Sequence, residues 1–423
     1  MRGNKHASWQ RLIAMVAAIT LAFVGIVGTT GCAQPQASSA TSNASAASNS
    51  SAESNSSANS SGNSSSVEEA LSYWTETAPL KTQLATYVAS VTDESSKDFI
   101  PAEDRIAVFD FDGTLFNETD PNYFDHMLLV YRVLEDPDYK DKASDFEKEV
   151  ANKIVDQNTN GTKYENLPTE HGKAVASAFK GMTPAEFSEY VQKFKETDMP
   201  SYKGMKRGYG FYLPMIQVVE YLEANDFTVY VVSGTDRLIT RGIFSGTCPL
   251  SIPAAQIIGS DETLVATNQG ETDGLEYTYT SEDKLVTGGE FIIKNLKMNK
   301  VSAIEREIGQ VPVLSFGNSS GDYAMANYTL SNSTYKTMAF QLCCDDLERE
   351  NGNTSKADDM YAACEKNGYT PISMKNDWTT IYGDDVTYLG AKKDEATSAS
   401  GSASASGEAK SSETQDGQLA AAA

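Results

Sequence analysis

Residues Ile106-Ala107-Val108-Phe109 run without interruption into Asp110-Phe111-Asp112-Gly113-Thr114, so an apolar stretch closes abruptly on two carboxylates one residue apart. An apolar run of this length, bounded by a turn signal, predicts a strand buried in a parallel sheet. Ligands of open α/β sheets bind just beyond the carboxyl ends of the strands. Asp110 is therefore expected at the mouth of a site, and Gly113 lets the backbone turn sharply there. The competing reading is a calcium loop. It needs further oxygen ligands and a terminal glutamate at set spacing, which Thr114, Leu115 and Phe116 do not supply.

Three later segments repeat the pattern of a buried strand ending in polar residues. Phe227-Thr-Val-Tyr-Val-Val232 is rich in β-branched residues and ends in Ser233-Gly234-Thr235. Met215, Ile216, Val218, Val219 and Leu222 before it have helical spacing, with Asn225-Asp226 as the stop. The Ser233 hydroxyl and the Gly234 N–H suit a phosphate oxygen, although Ser-Gly is also an ordinary turn. Lys300 opens a helix that runs to Ile308 and is ended by Gly309. A lysine in a first turn opposes the helix dipole, so stability does not explain it; Lys294 and Lys297 are its rivals. Val311-Pro-Val-Leu-Ser-Phe316 leads into Gly317-Asn318-Ser319-Ser320-Gly321-Asp322. Asn318 and Asp322 offer hard oxygen ligands suited to Mg²⁺, or else a capping turn before a short helix over 323–327.

In order along the chain, these groups are expected to meet at one edge of one sheet. A carboxylate nucleophile, a second carboxylate, a hydroxyl, an ammonium and oxygen ligands for a divalent cation make a phosphoryl-transfer site. The chain here resembles the phosphatase branch of the haloacid-dehalogenase superfamily. Asp110 through Thr114 match its Asp-x-Asp-Gly-Thr motif, Ser233 its strand-end hydroxyl and Lys300 its lysine. Gly317 through Asp322 match its Gly-Asp-x-x-x-Asp, with Asn318 in place of the first aspartate. The likeness spans about residues 72–389 and is nearest to exported or lipoprotein relatives of phosphoserine and phosphorylcholine phosphatases. It implies a doubly wound parallel sheet with an inserted helical cap. It also implies a Mg²⁺-dependent phosphomonoester hydrolase. In it Asp110 attacks phosphorus, Asp112 serves as acid and base, and Ser233, Gly234 and Lys300 hold the phosphoryl oxygens. Asp110, Asp112, Asn318 and Asp322 are placed around the metal, Asp322 alternatively positioning Lys300. A phosphotransferase or phosphomutase, and a non-catalytic binding lipoprotein on the same fold, are the alternatives.

The ends of the chain bound its setting. Arg2, Lys5 and Arg11 precede an uncharged apolar run over 12–31, the layout of an export signal, and Thr29-Thr30-Gly31-Cys32 resembles a lipobox. Residues 1–32 are therefore expected to be a lipoprotein-type signal, with lipid on Cys32 holding the protein to a membrane outside the cytoplasm. The alternative is an uncleaved spanning helix. The Ser/Ala/Asn stretch over 33–66 and the tail over 392–423 hold too little apolar surface to offset ordering entropy, which leaves 67–391 as the globular domain. A formal net charge of −24 argues against non-specific binding of nucleic acid. Cys248, Cys343, Cys344 and Cys364 have no zinc-site spacing. Export permits a bridge from Cys364 to one of the adjacent pair, and free thiols fit equally well.

The stretch over about 117–212 is too long for a simple crossover and is read as the cap. Thr183-Pro184-Ala185-Glu186 is a capping box with proline at the first helical position, followed by an apolar face of Phe187, Tyr190, Val191 and Phe194. Glu118 and Arg207, near its hinges, are candidates to face the leaving group. His126 and His171 lie in the insert without motif context and are read as structural or surface residues. The stretch around 274–289 reads as a hairpin too small for a second cap.

Overall fold

The computed structural model describes residues 67–118 and 122–390. The basic start, the apolar run, Cys32, the Ser/Ala/Asn stretch and the C-terminal tail lie outside the described residues. Among the described residues, no helix is long and apolar enough to cross a membrane.

Helix α1 (Pro79–Thr92) precedes strand β1 (Ile106–Phe109). β1 is buried at every position. Ala107 and Phe109 join one apolar cluster while Ile106 and Val108 join another. Alternate side chains thus bury on opposite faces, as a central parallel strand requires. After β2 (Tyr202–Lys203) come β3 (Thr228–Asp236), β4 (Ile257–Ala266), β5 (Leu285–Ile293), β6 (Leu314–Gly317), β7 (Met338–Cys343), β8 (Thr370–Ser373) and β9 (Thr387–Tyr388). Seven strands form one sheet in the order β5-β4-β3-β1-β6-β7-β8, and β2 pairs with β9 in a small antiparallel ribbon. The ladder is parallel from β4 through β8. β5 departs from the parallel expectation, pairing antiparallel with β4 at the edge. Strand order reverses beside β1, so the switch point that favours ligand binding lies at its carboxyl end.

The phenyl rings of Phe109 and Phe316 stack at 4.2 Å, and those of Phe316 and Phe340 at 4.9 Å. These residues are register partners across β1, β6 and β7, so the stack locks the strands whose ends carry the site. Each such pair contributes roughly 0.5–1.5 kcal/mol beyond its burial. Helices α1 and α6 (Leu213–Glu223) cover this face. The opposite face is covered by α8 (Met298–Glu307), α9 (Tyr323–Leu330) and α10 (Thr354–Asn367). Between β3 and β4 lies α7 (Arg237–Phe244).

Four α-helices lie between β1 and β2: α2 (Phe124–Val130), α3 (Asp145–Asn160), α4 (Leu167–Ala178) and α5 (Pro184–Lys195). The capping box read at Thr183 and Glu186 makes both of its hydrogen bonds, and Ser144 with Glu147 forms another at α3. The β4–β5 hairpin braces these helices. Thr287 on β5 donates its N–H to Met182 O at 2.9 Å and accepts the Gly181 N–H at 2.9 Å. A Cβ on Gly172 of α4 would sit 2.4 Å from the Phe291 ring, so glycine is what lets helix and strand approach. Cys248, Cys343, Cys344 and Cys364 are free thiols.

Candidate active site

The β1 ladder extends one residue into the site, because Asp110 N–H donates to Phe316 O at 2.9 Å. The chain then turns on itself, and Phe111 O accepts from the backbone N–H groups of Thr114, Leu115 and Phe116. Gly113 has φ +77°, and a Cβ there would lie 1.8 Å from the Asn318 amide nitrogen. Glycine is therefore required twice, by the left-handed turn and by the loop after β6 that lies over it.

Lys300 is fully buried in the first turn of its observed helix α8. Its ammonium lies 2.5 Å from Asp110 Oδ1, 2.7 Å from Asp322 Oδ1 and 2.6 Å from Val232 O, so all three donors are satisfied. Of its two rivals, Lys297 is exposed and Lys294 lines the cavity above the site. Burial alone would pull the Lys300 ammonium down, but Asp110 and Asp322 outweigh it and hold its pKa above the ordinary value. Asp322 Oδ2 accepts from the N–H groups of Asn318 and Ser319 and from the Ser319 hydroxyl. Both oxygens of Asp322 are thus committed, to Lys300 and to the loop. Of the two expected roles, metal ligand or support for Lys300, the geometry supplies partners for the second.

Burial raises the Asp110 carboxyl to about 7, with Asp322 adding to it and Lys300 opposing. Asp112 is pushed well above the carboxylate range by burial and then by Asp125, against a hydrogen bond from Thr235. That bond, from Thr235 Oγ1 to Asp112 Oδ2, measures 2.6 Å, while Asp112 Oδ1 is buried without a partner. A carboxyl held neutral beside an ionised one is the arrangement of an acid and a nucleophile.

Ser233 is fully buried, and its Oγ accepts the Thr235 N–H at 3.0 Å. Gly234 and Thr235 carry that wall of the cavity. A Cβ at Gly234 would meet the Leu296 methyl at 2.6 Å, so a side chain there would displace Leu296 from the cavity wall. Asp110, Asp112, Asn318 and Asp322 line one cavity of about 170 Å³, closed from the helical side by Glu118, Tyr123, Asp125 and His126. Tyr123 donates to Glu118 Oε1 at 2.7 Å.

Glu118 thus reaches the site, as expected. Arg207 lies instead over the Phe194 ring at 4.9 Å and is not among the cavity-lining residues. Neither His126 nor His171 is a surface residue: His171 is 1% exposed, and half-buried His126 borders the cavity. A larger cavity of about 440 Å³ lies among helical-insert residues around Arg132, away from the carboxylates. Its arginine is already committed to Ala178 O and to the faces of Tyr139, Phe179 and Tyr190.

No protein-family model and no curated protein matches the chain. Among solved structures it is similar to a conserved protein of unknown function from Anaerococcus prevotii, at 13% identity and TM-score 0.44, over 71% of this chain and 93% of that one. It is also similar to cytosolic 5'-nucleotidase IIIB bound to cytidine, at 10% identity and TM-score 0.40, over 70% and 87% of the two chains. A phosphoserine phosphohydrolase-like protein from Francisella tularensis shares 15% identity at TM-score 0.31, over 56% and 87%. At those scores the likenesses add nothing to what the chain's own geometry shows. The doubly wound sheet carries Asp110 and Asp112 at the end of its central strand, with Lys300 and Asp322 beside them, which is the arrangement the resemblance read from the sequence implies.

Proposed function

We propose that the chain is a phosphomonoester hydrolase that works through an aspartyl-phosphate on Asp110. The observation that carries this reading is the buried Lys300, held between Asp110 and Asp322 at the end of the central strand. An Asp110 oxygen attacks phosphorus and the ester P–O bond breaks. The leaving alkoxide takes the proton of the neutral Asp112. Asp112, now ionised, accepts a proton from the water that attacks the phosphoryl group, regenerating Asp110 and releasing phosphate. The Lys300 ammonium, through its contact with Asp110, and the Gly234 N–H supply positive charge near the phosphoryl oxygens, where charge gathers in the transition state.

The residues fit Mg²⁺. The Asp110 carboxylate, the Asp112 main-chain carbonyl and the Asn318 amide oxygen would hold it as an all-oxygen set, the Asn318 side chain lying over the Gly113 turn. Mg²⁺ bound there supplies positive charge that neutralises phosphoryl oxygens.

A cavity of about 170 Å³ supports a small monoester over a nucleotide. Glu118 and Tyr123 on its helical side suit an alcohol bearing an ammonium group, as in phosphoserine- or phosphorylcholine-like substrates. The basic start, apolar run and Cys32 support a lipid-anchored protein acting outside the cytoplasm. Mass spectrometry of the membrane-extracted protein tests the anchor: lipid on Cys32 supports it, and an intact unmodified segment from Met1 through Cys32 supports a spanning helix instead. The activity is tested by assaying the purified chain against a panel of phosphomonoesters with and without Mg²⁺. Mg²⁺-dependent phosphate release from small esters is expected, and no release from any of them contradicts the reading.

A further inference from the structure

We propose that Asp125, His126 and His171 form a second cation site, in the helical insert, for a transition ion of the Zn²⁺ class. One ligand atom from each residue lies within 4.8 Å of the others. Asp125 and His126 are neighbours on α2, while His171 comes from α4, and the two imidazole rings sit 4.2 Å apart at a 52° tilt.

The second observation is what His171 lacks. It is 1% exposed, yet neither of its ring nitrogens has a hydrogen-bond partner. Nδ1 stands 3.8 Å from Asp125 Oδ2, too far for a hydrogen bond. His126 Nδ1 is buried and unpartnered as well. Leaving such groups unsatisfied costs about 1–3 kcal/mol each, and folded proteins rarely leave several together. One ion between the rings and the carboxylate takes one nitrogen from each histidine and one oxygen from Asp125.

The donor set chooses the ion. Two imidazoles and one carboxylate suit Zn²⁺, Co²⁺ or Ni²⁺, whereas Mg²⁺ prefers oxygen ligands and keeps its waters. The site is thus chemically distinct from the all-oxygen set at Asp110 and Asn318. Asp125 and His126 also line the cavity, so a fourth position is left facing it, as in zinc sites that bind a water or a ligand. The ion would join α2 to α4, and its charge would lie in the cavity that gathers Asp112, Glu118 and Asp125. Gly172, the residue after His171, lies against the Phe291 ring, so α4 packs closely on the edge strand β5.

The test is binding, not turnover, so its outcome is independent of the hydrolase reading. The full chain, freed of metal by a chelator and re-equilibrated with excess Mg²⁺, is titrated with Zn²⁺ and assayed for retained zinc by elemental analysis. Co²⁺ in the same experiment gives a visible absorption band that reports nitrogen ligation. One equivalent of zinc retained in the presence of Mg²⁺, and weakened tenfold or more by both H171Q and D125N, is the expected result. His126→Gln, at a half-buried position, is the companion variant should the buried substitutions not fold. Absence of retained zinc in the wild-type chain, or unchanged retention in the folded histidine variants, overturns the proposal.

Discussion

Lys300 Nζ reaches Asp110 Oδ1 at 2.5 Å across 190 residues of sequence, and the same ammonium reaches Asp322 Oδ1 at 2.7 Å. One buried cation thereby fixes the central strand, the α8 turn and the loop after β6 relative to one another. A buried ion pair is weak evidence for stability in itself, but removing one member leaves uncompensated charge. Lys300→Met should therefore abolish turnover and cost about 3–5 kcal/mol of folding free energy. Adding Asp322→Asn should recover part of that stability without recovering activity. Urea unfolding of the single and double variants measures both, and a stability cost unchanged by the second substitution would contradict the pairing.

Asp112→Asn should separate the acid from the nucleophile. Poor leaving groups should slow by about 10²–10⁴-fold, because they need a proton in the transition state. A p-nitrophenolate leaving group scarcely needs one and should be far less affected. Equal losses across a series of leaving groups would argue against the acid role.

Gly113 and Asn318 form one unit. Gly113→Ala places a Cβ where the Asn318 amide lies and forces a left-handed φ on alanine. It should raise the Mg²⁺ concentration needed for half-maximal rate, as should Asn318→Ala. Asn318→Asp restores a full negative charge and should lower that requirement. A Mg²⁺ titration of the three variants checks the order, and an unchanged requirement in Asn318→Ala would remove Asn318 from the ligand set.

Glu262 on β4 is a stability prediction away from the chemistry. Both carboxylate oxygens are buried without partners, and burial, then Asp236 and Asp261, lift its pKa from 4.5 to about 9. A raised carboxyl contributes stability below its unfolded pKa and loses it as pH rises through the folded one. Ionisation thus works against folding over the window from about 4.5 to about 9. Glu262→Gln should be near neutral at pH 4 and stabilising by about 1–3 kcal/mol at pH 8. Denaturant midpoints at the two pH values decide it, and equal effects at both would contradict the burial argument.

Strands β1, β3 and β6 were legible because each is a short apolar run closed by a polar or glycine turn, and β1 occupies the four residues expected of it. Strands β4, β7 and β8 carry no such closing signal and were not read. The end of β3 was not legible either. The sequence reading stops that strand at Val232, whereas it continues irregularly to Asp236 and brings Thr235 onto Asp112. A threonine two residues beyond Ser233 was the available signal. Lys300 was separable from Lys294 and Lys297 only weakly by sequence, since burial is decided by which face α8 turns to the sheet. Nothing in spacing announced His126 and His171, which lie on different helices and meet only through the packing of α2 on α4. The antiparallel edge strand β5 was seen only as a small hairpin, because its partner on the helical side, Gly172 against Phe291, is a tertiary contact.

The central claim is that Asp110 carries the phosphoryl group. Acid quenching of the wild-type chain during turnover of a small phosphomonoester, followed by borohydride reduction and peptide mass spectrometry, tests it directly. An acyl phosphate at Asp110 should appear as homoserine at position 110, and Asp110→Asn should show neither this product nor turnover while remaining folded. Turnover that persists in Asp110→Asn, or reduction at another carboxylate with Asp110 untouched, would contradict the account.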